Sequence, residues 1–242
     1  MPQETSTPQV EAVNENSIMI RFGQAIDKKW PAIIASARHF LLQKFALIIT
    51  DTIPSYTTLM VCFDDDHVSA PQFVQQINEA LVSWAQSPHL ENRIPAHNHL
   101  IPVFYDTNVA PDLEPLSRQL QLSIAEIIQI HTQATYVVYA IGFAPGFAFL
   151  GNVDPRIEAP RLSTPRANVA KGSVGIAGAQ TGIYPRSSPG GWNIIGCTPQ
   201  DIFFPDQPPD KLCLLAIGDT IKFKAISQDH FIDLGGSVNR DE

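Results

Sequence analysis

The chain has 242 residues, of which 44% are apolar and 17% charged, and its net charge at pH 7 is −8. This composition excludes a disordered chain, and the length allows one or two domains with buried cores. The negative charge argues against a general nucleic-acid binder, which would carry a basic face. Three widely separated cysteines indicate buried thiols in a reducing compartment. We see no secretion signal and no membrane span, so we expect a cytoplasmic protein.

The first part of the chain predicts a flexible segment over residues 1–16 and an α/β domain over residues 17–98. Helices begin near Asp27 and Pro71, because apolar residues recur at helical spacing after each. Strands are predicted from four apolar runs, at residues 17–22, 46–50, 57–63 and 99–105. The resulting order, β-α-β-β-α-β, is that of a ferredoxin-like domain.

The second part of the chain, residues 99–242, predicts a β-rich domain. Two short helices are expected over residues 111–133, and the capping box formed by Ser123 and Glu126 begins the second. Thirteen of the fourteen glycines lie at or beyond Gly142, which is typical of short strands joined by special turns. This pattern favours a small barrel or sandwich.

Two clusters carry residue types that could bind a metal. Asp64, Asp65, Asp66 and His67 follow a predicted strand, where acidic side chains usually face water. His97 and His99 have strand spacing and are interpreted as solvated or hydrogen-bonded. The sequence therefore predicts no metal site, and the absence of a G-x-S-x-G elbow argues against a serine hydrolase.

A glycine-rich block at residues 171–196 reads KGSVGIAGAQTGIYPRSSPGGWNIIG. It lacks the order of a phosphate-binding P-loop, and it is too apolar for a linker. Residues 154–196 contain five cationic and two acidic side chains, a net charge of +3 in an acidic protein. Such a segment can attract an anionic small molecule, although its arginines could equally pair with acids elsewhere. Its glycines could also serve barrel corners and bulges.

Three stretches resemble one known family. They are LSIAEIIQIHTQATYVVYAIGF at 122–143, GFAPGFAFLG at 142–151 and PRLSTPRANVAKGSVGIAGAQTGIYPRSSPGGWNIIGCTP at 160–199. The chain resembles, over roughly residues 15–225, the family of the B subunits of bacterial ATP-dependent 5-oxoprolinase. That family is also called allophanate hydrolase subunit 1 and includes the sporulation kinase A inhibitor.

The resemblance implies an α+β protein, with an N-terminal ferredoxin-like α/β domain followed by a C-terminal cyclophilin-like β-barrel. It implies a hydrolase that opens 5-oxo-L-proline to L-glutamate with ATP, accompanied by Mg, together with subunits A and C. We expect the isolated chain to be inactive, and we expect no tightly bound metal or organic cofactor. Two alternatives remain open: a regulatory inhibitor of a sensor histidine kinase, and a carboxyltransferase-type subunit of urea or allophanate metabolism.

Candidate site residues lie mainly in the glycine-rich block. Lys171 is expected to hold a phosphate or carboxylate, Gln180 to read the lactam amide, and His131 to carry a proton. His131 could equally satisfy a carbonyl at its helix end. The expected binding residues are Arg186 for an anion, Tyr184 and Trp192 for an apolar wall, and Ser188 and Gly178.

This chain departs from the family pattern in two places. Ala148 stands where the family commonly has proline, a change that could relax a turn. Cys197 stands where it commonly has arginine, which weakens any expectation that this corner binds an anion.

Overall fold

A computed structural model describes residues 8–86, 96–208 and 211–238, and the chain divides into two compact units, residues 1–96 and 97–242. The predicted boundary lay two residues further along the chain. Within the described ranges, no helix combines the length and apolar character that crossing a membrane requires.

Unit 1 is an antiparallel sheet packed against two helices. Its elements are β1 (Gln9–Asn14), β2 (Ser17–Arg21), α1 (Trp30–Lys44), β3 (Ile49–Ser55), β4 (Thr58–Phe63) and α2 (Ala70–Gln86). The strand order is β1-β2-β4-β3, so β4 lies between the two strands that α1 connects. This is a split β-α-β arrangement. The buried faces of β2, β4 and both helices share one apolar core.

The N-terminal strand β1 differs from the flexible segment predicted for residues 1–16. It pairs with β2 in an antiparallel hairpin whose turn is held by Asn14, because the Asn14 Oδ1 atom accepts from the Asn16 N–H and the Ser17 hydroxyl. β1 occupies the sheet edge that the strand at 99–105 was expected to fill. Most of its side chains are exposed, so its polar composition gave no strand signal.

Unit 2 contains a large, mainly antiparallel sheet. Its first elements are β5 (Asn98–Val103), α3 (Leu113–Leu120), α4 (Ile124–Gln133), β6 (Tyr136–Ile141), β7 (Ala148–Gly151) and β8 (Arg166–Val169). The remaining elements are β9 (Ser173–Ala177), β10 (Gln180–Ile183), β11 (Ser188–Gly190), β12 (Asn193–Cys197), β13 (Thr220–Ala225) and α5 (Gln228–Asp233). The main sheet has the order β13-β6-β7-β10-β9-β12, and β8 and β11 form a separate pair.

The first strand of unit 2, β5, pairs in parallel with β13. The strand predicted at 99–105 therefore exists, but it belongs to unit 2 and not to the α/β domain. Just beyond β5, Phe104 and Cys197 exchange two backbone hydrogen bonds of 2.8 and 2.9 Å. This single bridge joins the two edges of the sheet without continuous pairing, so a closed cyclophilin-like barrel is not confirmed.

The two helices predicted over residues 111–133 are confirmed as α3 and α4. The capping box is also confirmed, because the Glu126 N–H donates to the Ser123 Oγ atom at 3.2 Å and the Ser123 N–H donates to the Glu126 carboxylate at 2.8 Å. The first helix begins slightly later than its predicted cap at Asp27. The Asp27 carboxylate accepts from the Lys29 N–H, whereas Lys29 itself occupies the N-cap of α1.

Candidate functional site

The hairpin of β9 and β10 divides the predicted site residues into two groups. Gly178 and Gln180 lie at its turn, where Gln180 pairs with Ala177. Tyr184 follows the other end of β10, and four residues at about 3.3 Å each place it about 13 Å from Gln180 along the strand. The structure thus brings Lys171, Tyr184 and Arg186 together at the open end of the hairpin and leaves Gln180 and Gly178 at the opposite end.

Lys171 lies in a turn that neighbouring loops hold on two sides. Its N–H donates to the Ser187 Oγ atom at 3.3 Å, and the next residue, Gly172, donates to the Tyr184 carbonyl at 2.8 Å. On the other side, the Thr198 N–H donates to the Gly172 carbonyl at 2.9 Å. Gly172 has φ +79°, and a Cβ atom there would clash with the Thr198 carbonyl oxygen. Glycine is required at this close approach of three loops.

The charges at this end are unevenly compensated. The Lys171 Nζ atom lies 2.6 Å from the Asp201 Oδ1 atom, and both side chains are about half exposed. Arg186 is exposed and forms no ion pair within the described parts of the chain. An oxyanion could therefore contact Arg186 directly, whereas Lys171 must exchange Asp201 for it.

The aromatic residues predicted as an apolar wall lie mostly inside unit 2. Tyr184 is 1% exposed and Trp192 5% exposed, and the Phe147 ring packs edge-on against both at 5.3 and 5.4 Å. Burial raises the pKa of Tyr184, so its phenol stays neutral near pH 7. These two residues support the site from beneath rather than presenting their faces to solvent.

Phe143 carries an exposed ring at the same end of the hairpin and was missed by sequence reasoning. It is 66% exposed, packs edge-on against Phe147 and Tyr184, and has φ +72°, which is costly for a bulky residue. The available signal was the turn GFAPGF, in which glycine and proline flank an aromatic residue. A strained, exposed aromatic ring beside two cations is a feature of a binding surface.

Ser188 lies on β11, opposite Val169 of β8. Its Oγ atom is buried and has no hydrogen-bond partner among the residues that the structure describes. The neighbouring strand carries Arg166, whose guanidinium forms a bidentate pair with buried Asp112 at 2.5 and 2.8 Å. The Asp112 carboxylate also accepts from the Ile194 N–H at 2.7 Å, which ties β8 and α3 to β12.

His131 is fully buried, and its hydrogen bonds define its tautomer. The Thr181 hydroxyl donates to the Gly175 carbonyl at 2.9 Å, so its oxygen accepts the Nε2–H of His131 at 3.0 Å. The Nδ1 atom is then an acceptor and receives the Tyr105 O–H at 2.7 Å. Burial lowers the pKa of His131 to about 3, so the imidazole is neutral at physiological pH. This geometry favours the structural interpretation of His131 over that of a proton carrier.

The two clusters considered for metal binding behave as polar surface features. The His67 Nδ1 atom lies 3.0 Å from the Asp64 Oδ2 atom, and Asp65 and Asp66 are exposed. His99 contacts the buried carboxylate of Asp219 through Nε2 at 2.9 Å. Within residues 8–86, 96–208 and 211–238, no group of three histidine, cysteine or acidic side chains could hold a metal ion.

Cys197, which replaces the family arginine, is fully buried in a small apolar cluster. Its neighbours there include Phe104, Val109 and Phe231 of α5. The side chain adds no charge to the open end of the hairpin. The cations available there are therefore Lys171 and Arg186, which lie on the loops before β9 and after β10.

Comparison with known proteins places the chain among relatives of defined name. It is 40% identical to the 5-oxoprolinase B subunit of Bacillus subtilis over 233 residues, which cover 92% of this chain and 95% of the relative. It is 42% identical to the 5-oxoprolinase B subunit of Haemophilus influenzae over 68% of this chain and 74% of the relative.

Solved structures share the fold. The crystal structure of TTHA0988 matches 88% of this chain with a TM-score of 0.73 and 29% identity, and the match spans 40% of that longer chain. The protein PH0987 of Pyrococcus horikoshii matches over its full length and 92% of this chain, with 32% identity and a TM-score of 0.53. Urea carboxylase of Kluyveromyces lactis, at 16% identity and a TM-score of 0.68, shares the fold alone.

A family model described as carboxyltransferase domain, subdomain C and D matches residues 8–215. That match covers both units, including β1 and the whole open end of the β9–β10 hairpin. Together with the identity to the 5-oxoprolinase proteins, it shows that the chain belongs to the carboxyltransferase subdomain C and D family, among its 5-oxoprolinase B-subunit members.

Proposed function

We propose that this chain is the B subunit of an ATP-dependent 5-oxoprolinase and acts with subunits A and C to open 5-oxo-L-proline to L-glutamate. The observation that carries the proposal is its 40% identity, over nearly the whole of both chains, to the B. subtilis protein of that name. The pairing of an exposed arginine with a lysine on adjoining loops supports it, because both the substrate and ATP are anions. ATP, with Mg as its counter-ion, is the co-substrate.

The chemistry requires activation of an unreactive amide. Resonance makes the lactam carbonyl a poor electrophile, and transfer of the ATP γ-phosphoryl group to the lactam oxygen, with release of ADP, converts it into a phosphorylated imidate. Water then attacks the activated carbon, and ring opening follows. Catalysis of such a step rests on positioning and on neutralising the charge of the phosphoryl oxygens.

Lys171 and Arg186 are the residues to which we assign an oxyanion, either the substrate carboxylate or a nucleotide phosphate. Arg186 offers a planar donor set suited to bidentate contact, and Lys171 offers a mobile point charge. Phe143 supplies an exposed apolar face beside them. Tyr184 and Trp192 fix the loop positions from the core.

Gln180 and Gly178 belong to a separate part of the proposed site. At about 13 Å from the open end along β10, Gln180 serves a different portion of the bound reactants from the oxyanion held by Lys171. A role in reading the lactam amide thus requires the substrate to lie at the turn, with Lys171 and Arg186 then holding nucleotide phosphate. His131 is assigned a structural role, because both ring nitrogens are already hydrogen-bonded in the core.

The proposal extends to architecture and location. We assign unit 1 to the ferredoxin-like class, with β1 in the edge position, and unit 2 to the cyclophilin-like class. An ATP-dependent reaction at this site supports a cytoplasmic location. We expect the chain alone to be inactive, since subunits A and C complete the catalytic site.

The residue assignments are tested in the complex reconstituted from all three subunits. Lys171→Ala and Arg186→Ala should each lower kcat/KM for ATP or for 5-oxoproline by at least about tenfold, as expected for the loss of a charge-assisted contact, and the affected substrate identifies the oxyanion. Lys222→Ala, which removes an exposed lysine on β13, is the matched control and should retain wild-type turnover. Wild-type kinetics in both test variants would remove these residues from the site.

A carboxyltransferase-type subunit of urea metabolism is a second candidate. The family description and the fold shared with urea carboxylase favour it. Carboxyl transfer from a carboxybiotinylated carrier to urea in the presence of this chain, without ATP-dependent formation of glutamate from 5-oxoproline, would select this candidate.

A further inference from the structure

We propose that Asp201 is an internal placeholder for an oxyanion, holding the Lys171 ammonium until a ligand carboxylate or phosphate replaces it. The proposal concerns a residue outside the glycine-rich block. It rests on the proposed function for the identity of the incoming anion, whereas the exchange itself follows from geometry and charge.

The two side chains reach each other from separate loops. Asp201 lies four residues beyond the end of β12, and its Oδ1 atom is 2.6 Å from the Lys171 Nζ atom, a short charge-assisted contact. The Asp201 loop is positioned by the Gln200 N–H, which donates to the Thr198 Oγ1 atom at 3.1 Å. Thr198 is in turn bonded to Gly172, the residue after Lys171. The carboxylate is thus held where an external oxyanion would contact the lysine.

The exposure of the pair allows the exchange. The Lys171 side chain is 53% exposed and that of Asp201 50% exposed, so water can solvate both groups once they separate. Pairs of this kind change an equilibrium by at most about fivefold. A buried pair, such as Arg166 with Asp112, would be far more costly to open. Asp201 therefore lowers ligand affinity only modestly while neutralising the lysine in the free protein.

Arg186 completes the device on the adjacent loop. It is exposed and has no ion-pair partner in the described ranges, so an incoming oxyanion can contact it before Lys171 is released. The ligand then offers Lys171 the same chemical group that Asp201 provides. The exchange preserves the number of opposite charges around the lysine, which is why a carboxylate or phosphate fits and a neutral ligand does not.

The proposal predicts that Asp201→Asn raises oxyanion affinity by about two- to fivefold. The substitution keeps the size of the side chain and removes its charge. Glu114→Gln is the matched control, because Glu114 pairs with Arg118 on the exposed surface of α3 and its loss changes the net charge equally. Both positions are exposed enough that each variant should fold.

The test is protection of Lys171 from acetylation by acetic anhydride in the full chain, quantified by mass spectrometry of its peptide. Inorganic pyrophosphate and 5-oxo-L-proline are titrated separately, and they distinguish a phosphate from a carboxylate source. We expect the half-protecting concentration of one anion to fall about two- to fivefold in Asp201→Asn and to stay unchanged in Glu114→Gln. Equal protection of wild type and Asp201→Asn, or no protection of Lys171 by either anion, would overturn the proposal.

Kinetics of the reconstituted complex separate this proposal from the assigned function. Asp201→Asn should lower the KM of one substrate with kcat unchanged, whereas a collapse of kcat would assign Asp201 to the chemistry and refute the placeholder role. Absence of turnover in the wild-type complex would count against the 5-oxoprolinase assignment alone, since the acetylation assay uses no turnover.

Discussion

The buried ion pair beneath the candidate site offers a sharp test of how unit 2 is held together. Asp112 is 5% exposed and accepts three hydrogen bonds, two from Arg166 and one from the Ile194 N–H. Asp112→Asn keeps the shape of the side chain but turns one acceptor oxygen into a donor NH2 group. In either orientation that group faces a donor, the guanidinium or both the guanidinium and the backbone amide.

The expected cost follows from burial. Breaking a fully buried pair costs about 3–5 kcal/mol, and the Arg166 side chain is 31% exposed, which lowers the figure to about 3 kcal/mol. For a chain of this size that corresponds to a fall of about 6–12 °C in Tm. Thermal unfolding followed by circular dichroism measures it.

Asp154→Asn is the matched control for this prediction, because Asp154 also forms a bidentate pair with an arginine, Arg156, but on the surface. Its loss of stability should be much smaller, because water screens the pair. Equal shifts in Tm for the two variants would refute the reasoning that burial, and not the pairing geometry, determines the contribution of the pair.

Three further predictions follow from the core and its turns. The folded chain keeps His131 neutral down to its pKa of about 3, whereas the unfolded chain protonates it near 6.5, so the free energy of unfolding should fall as pH falls through this window, by up to about 1.4 kcal/mol per pH unit. Chemical denaturation between about pH 7 and pH 4 should show a shallower fall for His131→Gln, while exposed His230→Gln should keep the wild-type slope. Phe143→Gly should leave Tm unchanged or raise it, because glycine tolerates φ +72°, yet lower turnover of the reconstituted complex several-fold; wild-type turnover would argue against a binding role for the ring. Gly190→Ala should cost about 1–3 kcal/mol in denaturant unfolding, because its Cβ atom would clash with the Tyr184 hydroxyl, whereas Gly142→Ala, with nothing within 4 Å, should change stability by less than about 0.5 kcal/mol.

Local signals accounted for much of the fold. The Ser123 capping box determined the start of α4 to the residue, and the apolar runs located β2 and β4, because these features depend on neighbours in sequence. β1 escaped detection since an exposed edge strand needs no apolar alternation. The placement of β5 in unit 2 depends on β13, which lies far along the chain, and no local pattern records that pairing.

The candidate site was foreseen in part for the same reason. The glycine-rich block contained Lys171 and Arg186, and the structure brings their loops together. The separation of Gln180 follows from the hairpin turn at Gly178, which composition alone does not reveal. Asp201 and Phe143 reach the site from other loops, so their roles depend on tertiary packing.

The central claim is that this chain is a required component of an ATP-dependent 5-oxoprolinase. Its most direct test combines the purified chain with subunits A and C from the same organism and follows glutamate and ADP formation from 5-oxo-L-proline and ATP. Each component is then omitted in turn. The account predicts turnover that is lost when this chain is left out, with ADP and glutamate formed together. Full turnover without it, or no turnover with all three folded subunits present, would contradict the account.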